Sequence, residues 1–459
     1  MSNSIPGDAS NPQQRPLFEL PESAVSGEPA QDPMPLFGQP RFQSPVRNQH
    51  RLIDTSLDEL VSEDNPVRAV WDLVSNADLS ELDARIQAVE GGVGRNPIDP
   101  QILMALWLFA TIEGVGSARE IARLTKRDNY YRWICGGVTV NRTTLAAFRT
   151  ATPELFQRVL IDYTARLMRA GLVRLNRVSL DGTRVRASAG KSSFRRDPTL
   201  EELQREAETQ VALLAQERES GSASANHTTR ASDAADRARR VDQARQALPE
   251  LAQIRESRKK GDGKNARAST TDPDARTMKM ANGGFNPAFN VQFATDHESG
   301  MIVGVDTNNH GTDKGLITPM LEQITTRYGT PPGIVLVDGG DTTNEDIETA
   351  TAAGVTVIAP VKEAAQKKKK GVDPFLPLPG DSAAIAAWRI RRGLDATQEL
   401  YKERAATAEW VNAQARNRNR QQFRVRGLLK VKCIALWYAL AHNLTRGLKL
   451  RAVLTKIPN

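Results

Sequence analysis

Only two cysteines occur in 459 residues, Cys135 and Cys433, and each stands alone, so the chain offers neither a disulfide framework nor a cysteine-ligated zinc site. Its five histidines, His50, His227, His297, His310 and His442, are equally scattered and show no metal-ligand spacing. Aromatic residues make up 5% of the chain, which is poor in the stacking platforms that a carboxylate-pair hydrolase acting on sugars needs. No apolar run approaches the roughly 18 residues of a membrane helix. The longest candidate, Ile102 to Ile112, reads as a buried helix. The N-terminus lacks the basic and apolar regions of a signal peptide, so a cytoplasmic protein with no membrane partner is expected.

What the chain has is charge, 25% of its residues, beside 39% hydrophobic ones, the balance of a soluble globular protein. The net charge of +8 favours a polyanionic partner. Length alone suggests two or three domains. Residues 1–47 hold nine of the 25 prolines without any apolar period and are expected to form a disordered tail. Residues 48–171 read as an all-helical N-terminal domain. Asp99 with Pro100 and Ser117 with Glu120 mark helix starts, and another helix begins near Thr143. The patch Lys126, Arg127, Tyr130, Tyr131, Arg132, Trp133 fits either a helix-turn-helix-like DNA reader or an ordinary bundle whose aromatics are core.

From residue 172 the period changes. Leu175, Val178 and Leu180 indicate a strand that ends in Asp181-Gly182. Between Arg174 and Arg196 seven Lys or Arg surround that single acid. Residues 198–262 carry Leu at helical spacing among Glu, Gln, Ala and Arg and predict a helical hairpin or coiled-coil insertion. Strands resume at Ala288–Thr295 and Met301–Val305, a helix is expected over Thr312–Arg327, and the apolar run Ile334–Val337 ends in Asp338-Gly339-Gly340. Val355–Ala359 reads as another buried strand, Thr407–Arg418 as a helix containing Glu409, and Leu428–Leu450 as a closing amphipathic helix. The lysine run Lys367–Lys370 reads as solvated surface. Strands alternating with helices predict an α/β fold with a mixed sheet.

Two aspartates at strand ends and a glutamate on a basic helix are ingredients for binding hard cations. Carboxylate oxygens suit Mg²⁺ or Mn²⁺, and two such ions can activate a hydroxyl and stabilise a leaving oxygen in phosphoryl transfer. Each acid also has a plainer reading: Asp-Gly is a common turn, and Glu409 with Arg416 can be a solvated ion-pairing face.

The succession RWICGG, TTLAAFR, SLDGTRVRA, TTDPDARTMKMANGGFNPAFNVQFATD, LVDGGDTTNEDI, YKERAATAEWVNAQARNR, RGLLKV and LWYALAHNL, from about His50 to the C-terminus, resembles the DDE transposases of bacterial insertion sequences. The resemblance implies an RNase H-like mixed sheet with flanking helices over residues 172–459, interrupted by the 198–262 insertion and preceded by the helical N-terminal domain. It implies that Asp181, Asp338 and Glu409 are the catalytic, metal-binding acids for two Mg²⁺ (or Mn²⁺) ions. Tyr401, Arg404, Glu409 and Arg416 then match the Tyr-Arg-Glu-basic signature. Four residues rather than three separate Arg404 from Glu409, Arg416 replaces the usual Lys, and Arg404 is expected to precede the helix or be turned in by a loop. Asp341 stands where relatives often carry an aromatic, which leaves Asp338 the better choice. Tyr401, Arg404, Arg416, Arg184, Arg186, Asn290 and Gln292 are expected as DNA-binding or supporting residues. The implied function is metal-dependent cleavage at the element's terminal inverted repeats and strand transfer into target DNA. A homodimer on double-stranded DNA in the bacterial nucleoid is implied too. The alternative is a domesticated or inactive relative that binds DNA without cutting it.

Overall fold

Local capping sets the first helices. Asn65, Asp99, Ser117, Asp128 and Asn141 each accept a backbone N–H at the start of an element, supplying partners for donors that a helix leaves open. The elements are α1 (Pro66–Ser75), α2 (Ser80–Asp83), α3 (Pro100–Ile112), α4 (Ala118–Leu124), α5 (Asn129–Cys135), α6 (Arg142–Phe148) and α7 (Pro153–Arg169). This computed structural model describes residues 54–84, 96–222, 224–340 and 342–454, so the expected tail over 1–47 lies outside the described residues. Helix α3 is buried on nearly every side and forms the centre of this helical group. The basic aromatic patch divides around it. Tyr131 packs edge-on to Phe109, and Trp133 donates to Asp58 at 2.8 Å beneath Arg68, whereas Lys126, Arg127 and Arg132 face solvent.

The sheet is built on β1 (Arg177–Arg186). In chain order follow β2 (Phe194–Arg195), α8 (Asp197–Glu219), α9 (His227–Gln246), α10 (Leu248–Arg258), β3 (Ala268–Ser269), β4 (Arg276–Lys279), β5 (Phe285–Asp296) and β6 (Ile302–Asn308). Then come α11 (Ile317–Tyr328), β7 (Ile334–Leu336), α12 (Asn344–Ala352), β8 (Thr356–Ile358), α13 (Ala364–Lys369), α14 (Ala383–Gly393), α15 (Asp395–Asn417) and α16 (Leu428–Leu454). Strand β5 pairs antiparallel with β1 and β6, and β7 and β8 extend the other side in parallel, giving the mixed sheet expected of an RNase H-like core. Strand β1 pairs antiparallel with β5, the α8–α10 arm lies in the connection between them and is closed at its base by the β2–β3 pair, and the chain then returns through β4, which forms a hairpin with β5. Between residues 197 and 258 the arm carries twelve acids against nine Lys or Arg, an acidic insertion in a basic chain.

Three elements differ from expectation. Strand β1 does not stop at Asp181-Gly182 but runs on to Arg186, because Gly182 is there for space: a Cβ on it would land on the side chains of Gln292 and Asp313. Helix α11 starts at Ile317, five residues later than expected, and leaves 312–316 as a loop over the sheet. Helix α16 is enclosed rather than amphipathic; Cys433 to Ala441 is buried without interruption. It packs on α3 and α7 on one side and on β6 on the other, so the expected division at 171/172 falls between elements that share a continuous core.

Asp272 is among the acids that burial holds against their preference. Asp272 is fully buried, and burial, with Asp274 nearby, pushes its carboxyl up to about 6, although Gly427 N–H donates to it at 3.1 Å. The folded carboxyl therefore holds its proton more tightly than the unfolded one, and stability falls as pH rises from about 4 to 6. Asp272→Asn is expected to raise the melting temperature at pH 8, by on the order of 2–3 kcal/mol in stability, and to change it little at pH 4. Thermal melts of both proteins at the two pH values check this.

Candidate active site

Register brings two of the three expected acids together. Ser179 of β1 lies beside Leu336 of β7 in a parallel pair, so two residues further on Asp181 lies beside Asp338. Neighbouring strands run about 4.8 Å apart, and both carboxylates open into one cavity with Gln292 and Asp313. Asp338 is exposed, with its Oδ1 accepting the Gly339 N–H at 2.6 Å. Asp341 lies outside the described residues.

Asp181 is largely enclosed and has both oxygens engaged by α15. Arg404 Nη2 donates to Oδ1 at 3.1 Å and Asn412 Nδ2 to Oδ2 at 2.6 Å. Burial raises the Asp181 pKa, Arg404 and Asn412 counter that, and Asp313 and Asp338 add to the rise. Arg404 is inside α15, not before it: the helix begins at Asp395 and turns Tyr401, Arg404 and Asn412 towards the sheet. Tyr401 Oη donates to the Val337 carbonyl at 3.2 Å, one residue before Asp338, and Arg392 sits 4.5 Å from the centre of its ring. Glu403 pairs with Arg177 at 3.2 Å, and Thr407 and His297 share a 2.9 Å hydrogen bond, which fixes the helix along β1 and β5.

Glu409 and Arg416 lie on the exposed side of α15, and neither contacts Asp181 or Asp338. Glu409 is nonetheless three residues before Asn412, about 60° round the helix and one turn from the side chain that touches Asp181.

Asn290 and Gln292 are buried in β5 and both donate to Asp313 Oδ1, while Arg184 pairs with Asp313 Oδ2 at 3.3 Å. Asp313 is the acid that sequence reading missed. The signal was indirect: two amides in an otherwise apolar central strand need a buried acceptor, and this carboxylate is it. Arg186 is exposed at the end of β1.

A family model for a transposase domain (DUF772) matches residues 55–151, and one for the transposase DDE domain matches residues 262–444; together they cover more than half of the chain. The chain belongs to the DDE transposases of insertion sequences. No curated protein matches it. The DDE match begins after the arm, so Asp181 stands upstream of it; pairing of β1 with β5 and β7 returns that residue to the domain. Transposases act on DNA, and the DDE family generally uses divalent metal ions. The donors here fit such an ion in kind: two adjacent carboxylates and a buried Asn412 Oδ1 with no partner, all hard oxygen, and magnesium is often held by only one or two carboxylates. Among the described residues no three acids, His or Cys are gathered closely enough to form a complete metal cluster. No helix among them is long and apolar enough to cross a membrane.

Proposed function

We propose that this transposase cuts the phosphodiester bonds at the ends of its element and joins the freed 3′ ends to target DNA, with Asp181, Asp338 and Glu409 as its metal-binding acids. The observation that carries this reading is the single cavity lined by Asp181, on β1, and by Asp338, two residues past the end of the neighbouring β7, beneath a helix that already grips Asp181. Bound Mg²⁺ or Mn²⁺, in one or two sites, would supply an activated hydroxyl and stabilise the leaving oxygen. Asp181 and Asp338 would hold that charge against the DNA. Glu409, one helical turn before Asn412 on α15, would supply the third acid. Arg184, Arg186, Arg404 and Arg416 offer guanidinium groups to the backbone phosphates, and Tyr401 with Asn290 and Gln292 keeps the surrounding side chains in place. The helices of residues 55–151 would read the terminal inverted repeats, and a homodimer would hold two ends together.

The test is Mg²⁺-dependent strand cleavage on duplexes carrying the DNA that flanks the coding region. Parent-like cutting by Asp338→Asn and by Glu409→Gln would remove those residues from the site. The exposed position of Glu409, away from Asp181 and Asp338, favours a second reading, a relative that binds DNA without cutting; salt-sensitive binding with no metal-dependent nicking would establish it. Arg404 gives a prediction of definite sign. It lowers the Asp181 pKa, so Arg404→Ala should raise that pKa further and move the acid limb of the cleavage pH profile to higher pH. A pH-rate profile of the variant checks the shift.

A further inference from the structure

Away from Asp181, four arginines converge where the N-terminal helices meet the segment that follows α15. Arg149, just past α6, donates to the Gly116 carbonyl at 3.0 Å and stacks 4.9 Å from the centre of the Trp107 ring. Arg420 and Arg424 line the same cavity as Arg149 and Gly116. Arg418 stands behind them. Asn419, in the left-handed region at φ 57°, turns the chain and ties it to Gly114 through a 3.2 Å hydrogen bond.

None of these four has a carboxylate partner among the described residues. Arg149 Nε, Arg418 Nη1 and Arg420 Nε are buried without any acceptor. Burial, with Arg149 and Arg418 close by, pulls the Arg420 guanidinium down to about 10, and Arg149 is lowered by burial and by Arg424. Enclosed like charges with open donors are costly unless something negative joins them, and planar guanidinium groups fit the oxygens of a phosphate.

The position is also informative. The Arg186 N–H donates to the Gln421 carbonyl at 3.2 Å and the Phe423 N–H to the Arg186 carbonyl at 2.8 Å, so this segment continues the sheet at the end of β1. Arg186 lies five strand residues beyond Asp181, about 17 Å, which is within one duplex turn of roughly 34 Å. Arg186, Arg424 and Arg426 make its exposed rim basic.

We propose that Arg149, Arg420 and Arg424 form a seat for a backbone phosphate of duplex DNA, built jointly by the two parts of the chain. This rests on the reading of the protein as a DNA-cutting transposase. Seating a phosphate there would add a DNA-dependent tie between the helices of residues 55–151 and the sheet to the core that they already share.

The experiment uses the full chain, a labelled duplex carrying the element's end, and fluorescence anisotropy over a salt series without divalent metal. Arg149→Gln and Arg420→Gln should each weaken binding about tenfold and reduce the slope of log affinity against log salt by about one. In chloride buffer Arg420→Gln should melt at or above the parent temperature, since it loses an uncompensated charge, and a purely structural role would instead lower it; Arg149→Gln, which also loses its bond to the Gly116 carbonyl and its stack on Trp107, is judged by its affinity and salt slope. Arg420→Lys keeps the charge and should retain the slope. Variants that bind duplex as tightly as the parent, with the same slope, overturn the seat, whereas a parent that ignores duplex altogether overturns the function on which it rests. Inorganic phosphate at matched ionic strength separates the sources: if it raises the parent's melting temperature but not the variants', while duplex binding is unchanged, the seat belongs to free phosphate and its assignment to DNA fails.

Discussion

Asp181→Asn is expected to reduce Mg²⁺-dependent strand cleavage by roughly 10³-fold while leaving the protein at least as stable as its parent. The two outcomes follow from the same surroundings. A charged carboxylate at this position is enclosed, and burial is the largest influence on its pKa, opposing ionisation. Asparagine occupies nearly the same volume and still offers an oxygen to Asn412 Nδ2, so the contact between β1 and α15 is retained. What is lost is the negative charge that a divalent cation needs and that now pairs with Arg404. Cleavage of labelled duplex and a thermal melt measure the two effects separately. Cutting within tenfold of the parent would refute the assignment, and a large fall in melting temperature would mean that Asp181 is chiefly structural.

The second large effect concerns the join between the two halves of the core. Trp437 of α16 is 1% exposed, its ring centre lies 4.4 Å from that of Phe156 and 6.4 Å from that of Phe148, and its Nε1 donates to the Arg149 carbonyl at 3.0 Å. Trp437→Ala would open a large cavity where α6, α7 and α16 meet and leave that carbonyl without its donor. A cost of about 3–5 kcal/mol is expected, with Trp437→Phe intermediate because it keeps most of the packing. Denaturant unfolding gives the values directly; a loss below about 1 kcal/mol would show that the two halves do not depend on this contact. Arg149 follows the same helix, so the alanine variant should also weaken duplex binding through the phosphate seat.

The sheet was legible in the sequence because its strands are short apolar runs with punctuated ends, as at Ile334–Leu336 and Thr356–Ile358. Asp181-Gly182 misled because the same dipeptide that marks a turn can sit inside a strand when the missing side chain makes room for a neighbour. The first half of α15 was missed for a different reason. From Asp395 to Ala406 only Thr397 is buried, so no apolar stripe marks the helix, and good helix formers such as Ala, Gln, Glu, Leu and Lys carry it. Arg404 was consequently expected outside the helix that contains it. Asp313 had no local pattern at all, since its role comes from β5 side chains some twenty residues away in sequence.

The arm leaves β1 and comes back through β4, which pairs with the same end of β5 that β1 does, and the two-residue contact Phe194–Ser269 and Arg195–Ala268 closes it at its base. Strands so paired are held about 5 Å apart whatever lies between them. The insertion is thus a length of chain hung from a clasp: its size and charge can drift over generations while β1 keeps its register on β5 and β7, and with it the place of Asp181 near Asp338, which leaves it free to acquire a business of its own.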